Sequence, residues 1–246
     1  MTDPLAATTR QRLLAIGLMV TAVNCFSGLD ATAKYLSQTL PAIEVVWARY
    51  FGAFLVTFVI SNPISHPGLL RSSRPWLQIL RSGLLVGSTI LAFIALRYLQ
   101  LDEQISIVFA APFLVAALSG PLLGEWISWR RWAAICTAFI GVLVVTRPFA
   151  GGIHPAALLT CGGVTLYALY MILTRVVTRT DSNATTLFYS NLVGAAVMSV
   201  AVPFVWVTPD NLFTVLVMLL CGTFGSVGHY MLIIAHRYAS AAVLSP

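Results

Sequence analysis

The groups able to do chemistry in this sequence stand inside long apolar runs. Asp30 and Lys34 are four residues apart, so on a helix they share a face and can pair. Lys34 can equally reach the membrane boundary along its own stem. Arg49 cannot discard its charge, so it needs a carboxylate, a wet cavity or an anionic solute. Asp30 lies at similar depth on the preceding run and is the natural partner. Glu44, at the start of the Arg49 run, reads as interfacial. Charges inside spans are costly and by default mark function. Asn24, Trp47, Tyr167, Tyr170, Asn191 and His229 supply hydrogen bonds or apolar wall to a ligand, though each also suits helix–helix bonding. Asp30 and His229 are the candidates for a coupling proton. Pro112 breaks the hydrogen-bond ladder of its run, which marks a cavity-lining or moving segment. The expected solute site therefore draws on Asn24, Asp30, Trp47, Arg49, Pro112, Tyr167, Tyr170, Asn191 and His229.

Other chemistries find little support. The histidines (His66, His154, His229, His236) are scattered, with no H-x-x-x-H, paired aspartates or Ser-His set to suit a membrane enzyme. Cys25, Cys136, Cys161 and Cys221 all lie in apolar runs without CxxC spacing, so no metal or cofactor is expected. The glycines of Gly83-x-x-x-Gly87, Gly120-x-x-x-Gly124 and Gly222-x-x-Gly225-x-x-Gly228 form no phosphate loop and read as helix-packing positions.

The elements that must position these groups are helices in a bilayer. Hydrophobic residues make up 59% and charged residues 9%, at a mean hydropathy of +0.89. A soluble domain carries about 25% charged residues, so this chain cannot cover itself with polar surface. The net charge of +6 sits in short turns and is no sign of nucleic acid. At roughly 20 apolar residues per crossing, the runs give eight spans: about 13–36, 43–60, 77–99, 105–123, 130–146, 155–175, 184–207 and 212–235. A ninth begins near Ala239. An N-terminus in the cytoplasm puts Arg10, Arg12, Arg71, Arg74, Arg81, Arg130, Arg131, Arg175, Arg179 and Arg237 inside. Only Lys34, Arg97 and Arg147 then lie outside, as the positive-inside rule requires.

The runs also repeat. "EVVWARYFGAFLV" aligns with "TTLFYSNLVGAAVM", matching Gly52 to Gly194, Trp47 to Tyr189 and Arg49 to Asn191. Lys34 falls near Arg175, and Arg97-Tyr98 near Arg237-Tyr238. Each match skips five spans. Five is odd, so the copies face opposite ways, an architecture of secondary transporters with the site near the midplane. With "GLDATAKYL", the W-x-R of "VVWARYFGAFLV" and the Pro112 then Gly124-Glu125 pattern of the fourth run, the chain resembles the EamA branch of the drug/metabolite transporter superfamily. That resemblance implies an all-α integral membrane fold of ten helices in two inverted five-helix repeats, here 1–150 and a shortened 151–246. The chain then holds eight complete spans and the start of a ninth, and is expected to be a fragment lacking one wall of its cavity. The implied function is secondary transport of a small metabolite or drug-like solute by alternating access, with export the expected direction, in a bacterial inner membrane. The expected partners are a small-molecule substrate and the lipid bilayer; a homodimer is left open. A non-transporting scaffold or receptor and a membrane enzyme are the alternatives.

Overall fold

A backbone in hydrocarbon has no water to bond, so a crossing segment must satisfy its N–H and C=O groups within itself. The computed structural model describes residues 9–61, 67–124, 126, 128–146 and 154–238, and every long apolar run among them is helical. In chain order the helices are α1 (Thr9–Leu36), α2 (Ala42–Ser61), α3 (Pro75–Ala95), α4 (Leu101–Val108), α5 (Ala111–Leu123), α6 (Trp129–Thr146), α7 (Ala157–Val177), α8 (Asn183–Ala201) and α9 (Leu212–Tyr238). Their ends carry the expected chemistry. Pro75 opens α3, where a missing N–H costs nothing. The Ser182 hydroxyl accepts from Thr185 N at 3.0 Å and caps α8. Gly124 closes α5 at φ 70, a left-handed conformation that glycine adopts without strain.

Among the described residues seven segments are long and apolar enough to cross a membrane; one is the α4–α5 pair, Leu101–Leu123. The protein is therefore a multi-pass membrane protein. The fifth expected span corresponds to α6, Trp129–Thr146, which contains the apolar stretch Trp132–Gly141. The break expected at Pro112 is present: α4 stops at Val108 and α5 starts at Ala111. Glu125 and the run from 239 to 246 lie outside the described residues.

The packing is organised by α2 and α8 at the centre. They pack on each other, α2 also packs on α9, and α8 on α3; α1 covers α9, and α7 covers α3. One core cluster runs through these helices, including Leu36, Val45, Val46, Tyr50, Phe93, Leu96, Met198 and Cys221. The α4 and α5 helices lean on α7, and α6 packs on α4 and α5. Large apolar side chains such as Val59, Leu158, Val200 and Leu212 remain exposed, as lipid-facing residues should.

Two close approaches set the geometry of the centre. A Cβ on Gly222 would fall 2.6 Å from Gly52 Cα, so α2 and α9 touch backbone to backbone. A Cβ on Gly194 would fall 2.2 Å from the Tyr50 ring, so α8 presents a notch for that tyrosine. The other glycine motifs behave differently. Nothing lies within 4 Å of a Cβ at Gly83, and Gly120 receives the Trp126 ring instead of a facing helix.

Candidate functional site

Arg49 sits halfway along α2, partly buried, beside Tyr50. Its Nη1 donates to Thr89 Oγ1 at 3.0 Å, and its guanidinium lies 4.6 Å from the Tyr50 ring centroid. Thr89 is then saturated. Its hydroxyl gives its one proton to Leu85 O at 2.9 Å, so it accepts from Arg49 and from the Tyr50 hydroxyl at 3.0 Å. A guanidinium has five N–H donors; among the described residues Arg49 bonds Thr89 and the Tyr50 side chain and no carboxylate. The side chain lines a small cavity between α2, α3, α7, α8 and α9, whose free space suits a water or a small polar group.

Three other expected residues line the same cavity: Tyr170, Asn191 and His229. Asn191 Nδ2 donates to Thr57 Oγ1 at 2.9 Å, which fixes the amide and leaves its oxygen as an acceptor. Thr57 is itself tied to Ser226 on α9 at 3.0 Å. His229 Nδ1 lies 2.8 Å from Gly225 O. A carbonyl only accepts, so Nδ1 carries the proton and a neutral ring keeps a lone pair on Nε2. The ring is held edge-on by Phe26 at 4.9 Å. Of the glycine stripe on α9, Gly222 serves packing while Gly225 lines the cavity.

The remaining expected residues lie elsewhere. Asp30, on α1, acts on Arg49 through space, without a hydrogen bond or contact ion pair between them. Lys34 does not pair with Asp30 either. Its Nζ donates to Leu96 O and Leu99 O at 2.5 and 2.6 Å, capping the carbonyl end of α3. Tyr167 packs 5.6 Å from Tyr170 behind the cavity wall. Trp47 donates to Ser199 Oγ at 3.0 Å and stacks on Phe51, near one end of the bundle. Asn24 is exposed and bonded to Val20 O of its own helix at 2.8 Å. Pro112 is exposed at the start of α5.

Two features escape the sequence reading. Arg81, counted above among the charges of a surface turn, is 0% exposed. It donates to Gln78 Oε1, Thr174 Oγ1, Thr186 O and Ser190 Oγ, and stands over the Tyr170 ring at 5.0 Å. Gln78 passes the chain of bonds to Asp181 Oδ2 at 2.9 Å. Asp181 lies in the α7–α8 turn and also accepts from Ser72 Oγ and from Ser73 N at 2.9 Å. Burial pushes this carboxyl upward, but the bonds from Ser72, Gln78 and Ser73 outweigh it and hold its pKa below the usual value. Glu44, expected at an interface, is 0% exposed; its Oε2 accepts from Val207 N at 3.0 Å, and its Oε1 is buried without a hydrogen-bond partner. Spacing could not reveal either feature, because both depend on which connectors fold back onto which helix ends.

A helical membrane body with a central cavity holding an arginine, a histidine, a tyrosine and an asparagine defines a class: polytopic proteins that handle a small polar solute. Comparison with known proteins narrows it. The chain matches the EamA-like transporter family over residues 13–147, and it belongs to that family, within the drug/metabolite transporter superfamily. It is a transporter family and not an enzyme family. The chain is 27% identical to an S-adenosylmethionine uptake transporter of Rickettsia bellii, covering 95% of this chain and 79% of that protein. It is 26% identical to a riboflavin transporter of Rhizobium johnstonii, covering 93% and 76%. A solved crystal structure shares the fold at a TM-score of 0.68 with 19% identity, covering 94% of this chain and 81% of the other.

Proposed function

We propose that this protein is a secondary active carrier that moves a small solute bearing a carboxylate or similar anionic group by alternating access, with Arg49 as its anchor. One observation carries the reading: Arg49 lines the central cavity and, among the described residues, bonds the neutral side chains of Thr89 and Tyr50 but no carboxylate. An arginine inside a membrane bundle without a carboxylate partner is costly unless a ligand or water completes it. Asn191 Oδ1, His229 Nε2 and the Tyr170 hydroxyl would then bind donors or polar parts of the same solute. Asp30, at Coulombic range, suits an ammonium group beside the carboxylate. S-adenosylmethionine, named in a relative, carries both groups; riboflavin, named in another, has no carboxylate.

Alternating access is supported by the packing. Exchanging α1 with α7, α2 with α8 and α3 with α9 turns α1–α9 contact into α7–α3 contact and α2–α9 into α8–α3, and returns α2–α8 to itself. Each exchanged pair runs in opposite directions, as contacts at the helix ends require. That pattern favours two inverted repeats, 1–150 and 151–246, of the ten-helix plan, with α6 as the fifth helix of the first. The basic turns favour an N-terminus in the cytoplasm, with the Asp181 end inside, in a bacterial inner membrane.

The test is saturable counterflow in proteoliposomes with a panel of amino-acid-like and nucleoside-like solutes. Wild type should move at least one carboxylate-bearing member, and Arg49→Ala and Asp30→Asn should lower that flux. Unchanged flux in both variants would contradict the site. Export, the direction the family resemblance suggested, is checked in the same vesicles by imposing a proton gradient of either sign, since a relative is named for uptake.

A further inference from the structure

Each end of the bundle is closed by a carboxylic side chain that takes a backbone N–H from a connector in the other half of the chain. The two closures are built unequally. At one end Asp181, in the α7–α8 turn, receives Ser73 N, the Ser72 hydroxyl and the Gln78 amide, so both oxygens are used. At the other end Glu44, in the first turn of α2, receives only Val207 N from the α8–α9 connector, at 3.0 Å. The side chain is fully buried, and Oε1 has no partner.

The charged and titratable groups near that end do not complete it. Lys34 on α1 is spent on the carbonyls after α3. Arg97 and Tyr98 beyond α3, Tyr35 at the end of α1, and Asp210 in the connector are exposed. His154, before α7, stacks on Tyr98. Trp47 and Trp206, in edge contact at 5.5 Å, bring no charge. The free N–H groups at the start of α2 favour a negative charge nearby, but the one hydrogen bond Glu44 accepts comes from Val207. A carboxylate held with one hydrogen bond and, among the described residues, no cation is strongly disfavoured, whereas a carboxylic acid carries no charge to bury.

We propose that Glu44 is a proton-binding site that latches the α8–α9 connector onto α2. In the closed latch Glu44 is the carboxylic acid. On opening, its O–H bond breaks, the proton passes to water at that end, and the carboxylate becomes hydrated as the Val207 hydrogen bond is lost. The Asp181 latch keeps its carboxylate ionised and does not share this dependence. Closing therefore takes up one proton, and rising pH opens one end only. The role of this latch as the outer gate of a carrier rests on the function proposed above; its chemistry does not.

Hydrogen–deuterium exchange of the connector, residues 205–211, tests it on the whole chain in nanodiscs, with intrinsic rates corrected for pH. Above the Glu44 titration, wild-type protection should fall about tenfold per pH unit, because closing binds one proton. Glu44→Gln, which keeps the neutral shape, should hold the connector protected at every pH. Wild-type protection that does not change with pH overturns the proposal, as does a wild-type pH response in Glu44→Gln. Should the variant fail to fold, the infrared difference spectrum of wild type decides: a buried carboxylic-acid band must disappear as pH rises, and its absence overturns the latch. None of these readings involves a solute, so a failure here leaves the counterflow result standing, and the reverse.

Discussion

A guanidinium that lines a cavity and a guanidinium sealed in a network behave differently when removed. Among the described residues Arg49 bonds Thr89 and Tyr50 at the wall of a cavity, whereas Arg81 has four bonded partners and no exposure. Arg81→Ala would strand Ser190, Thr186 and Gln78, and we expect a loss of about 3 kcal/mol in stability, read as a lower melting temperature in detergent. Arg49→Ala should leave melting nearly unchanged while weakening the binding of a carboxylate-bearing solute. Asp181 gives a pH signature of its own. Its pKa is depressed in the folded protein, so its contribution is present above the ordinary aspartate range and is lost as pH falls through the lower folded value. Melting should therefore be level near neutrality and drop in acid, and Asp181→Asn should melt lower at neutral pH and lose much of that drop. Four of the residues proposed for the site, Arg49, Tyr170, Asn191 and His229, line one cavity, and each drew notice in the sequence because a polar group in an apolar run must find a purpose. Asn24 shows the ambiguity of that signal, since an exposed amide can satisfy itself on its own helix. Arg81 was illegible because a run that begins at Pro75 carries it into the bundle, where only tertiary partners make it affordable.

Between helices, distance is set by what is missing at a few positions. The Tyr50 ring occupies the space where Gly194 lacks a side chain, and Gly52 meets Gly222. Gly194→Ala and Gly222→Ala should each cost roughly 1–3 kcal/mol by overpacking, measured as thermal melting in detergent. Gly83→Ala, with nothing within 4 Å of its Cβ, should melt as wild type does. The alignment of Gly52 with Gly194 was visible in the sequence, but the partner of each was not: one faces a glycine and the other a tyrosine. Helix positions and the Pro112 break followed from run length and backbone bonding alone. The α6 helix, Trp129–Thr146, falls on the run expected at 130–146. The fate of Lys34 also lay beyond the sequence, since its acceptors are carbonyls more than sixty residues away.

For the whole molecule, the proposed arrangement sets the Arg49 cavity between two inverted repeats, with unequal closures at the two ends. If the basic turns lie inside, a cysteine at Ser72 should react with an impermeant reagent only from the cytoplasmic side, and one at Trp206 only from the other; the reverse pattern would invert the topology. The central claim is that Arg49 receives an anionic group of the transported solute, and competition in counterflow tests it most directly. The inhibitors are matched pairs, a carboxylate and its neutral amide, set against the solute that wild type moves. With wild type, the acid should compete at least tenfold better than the amide, the scale expected for one charge-assisted bidentate contact. In Arg49→Ala that preference should vanish while the amide competes as before. An equal preference for the acid in wild type and Arg49→Ala would contradict the account.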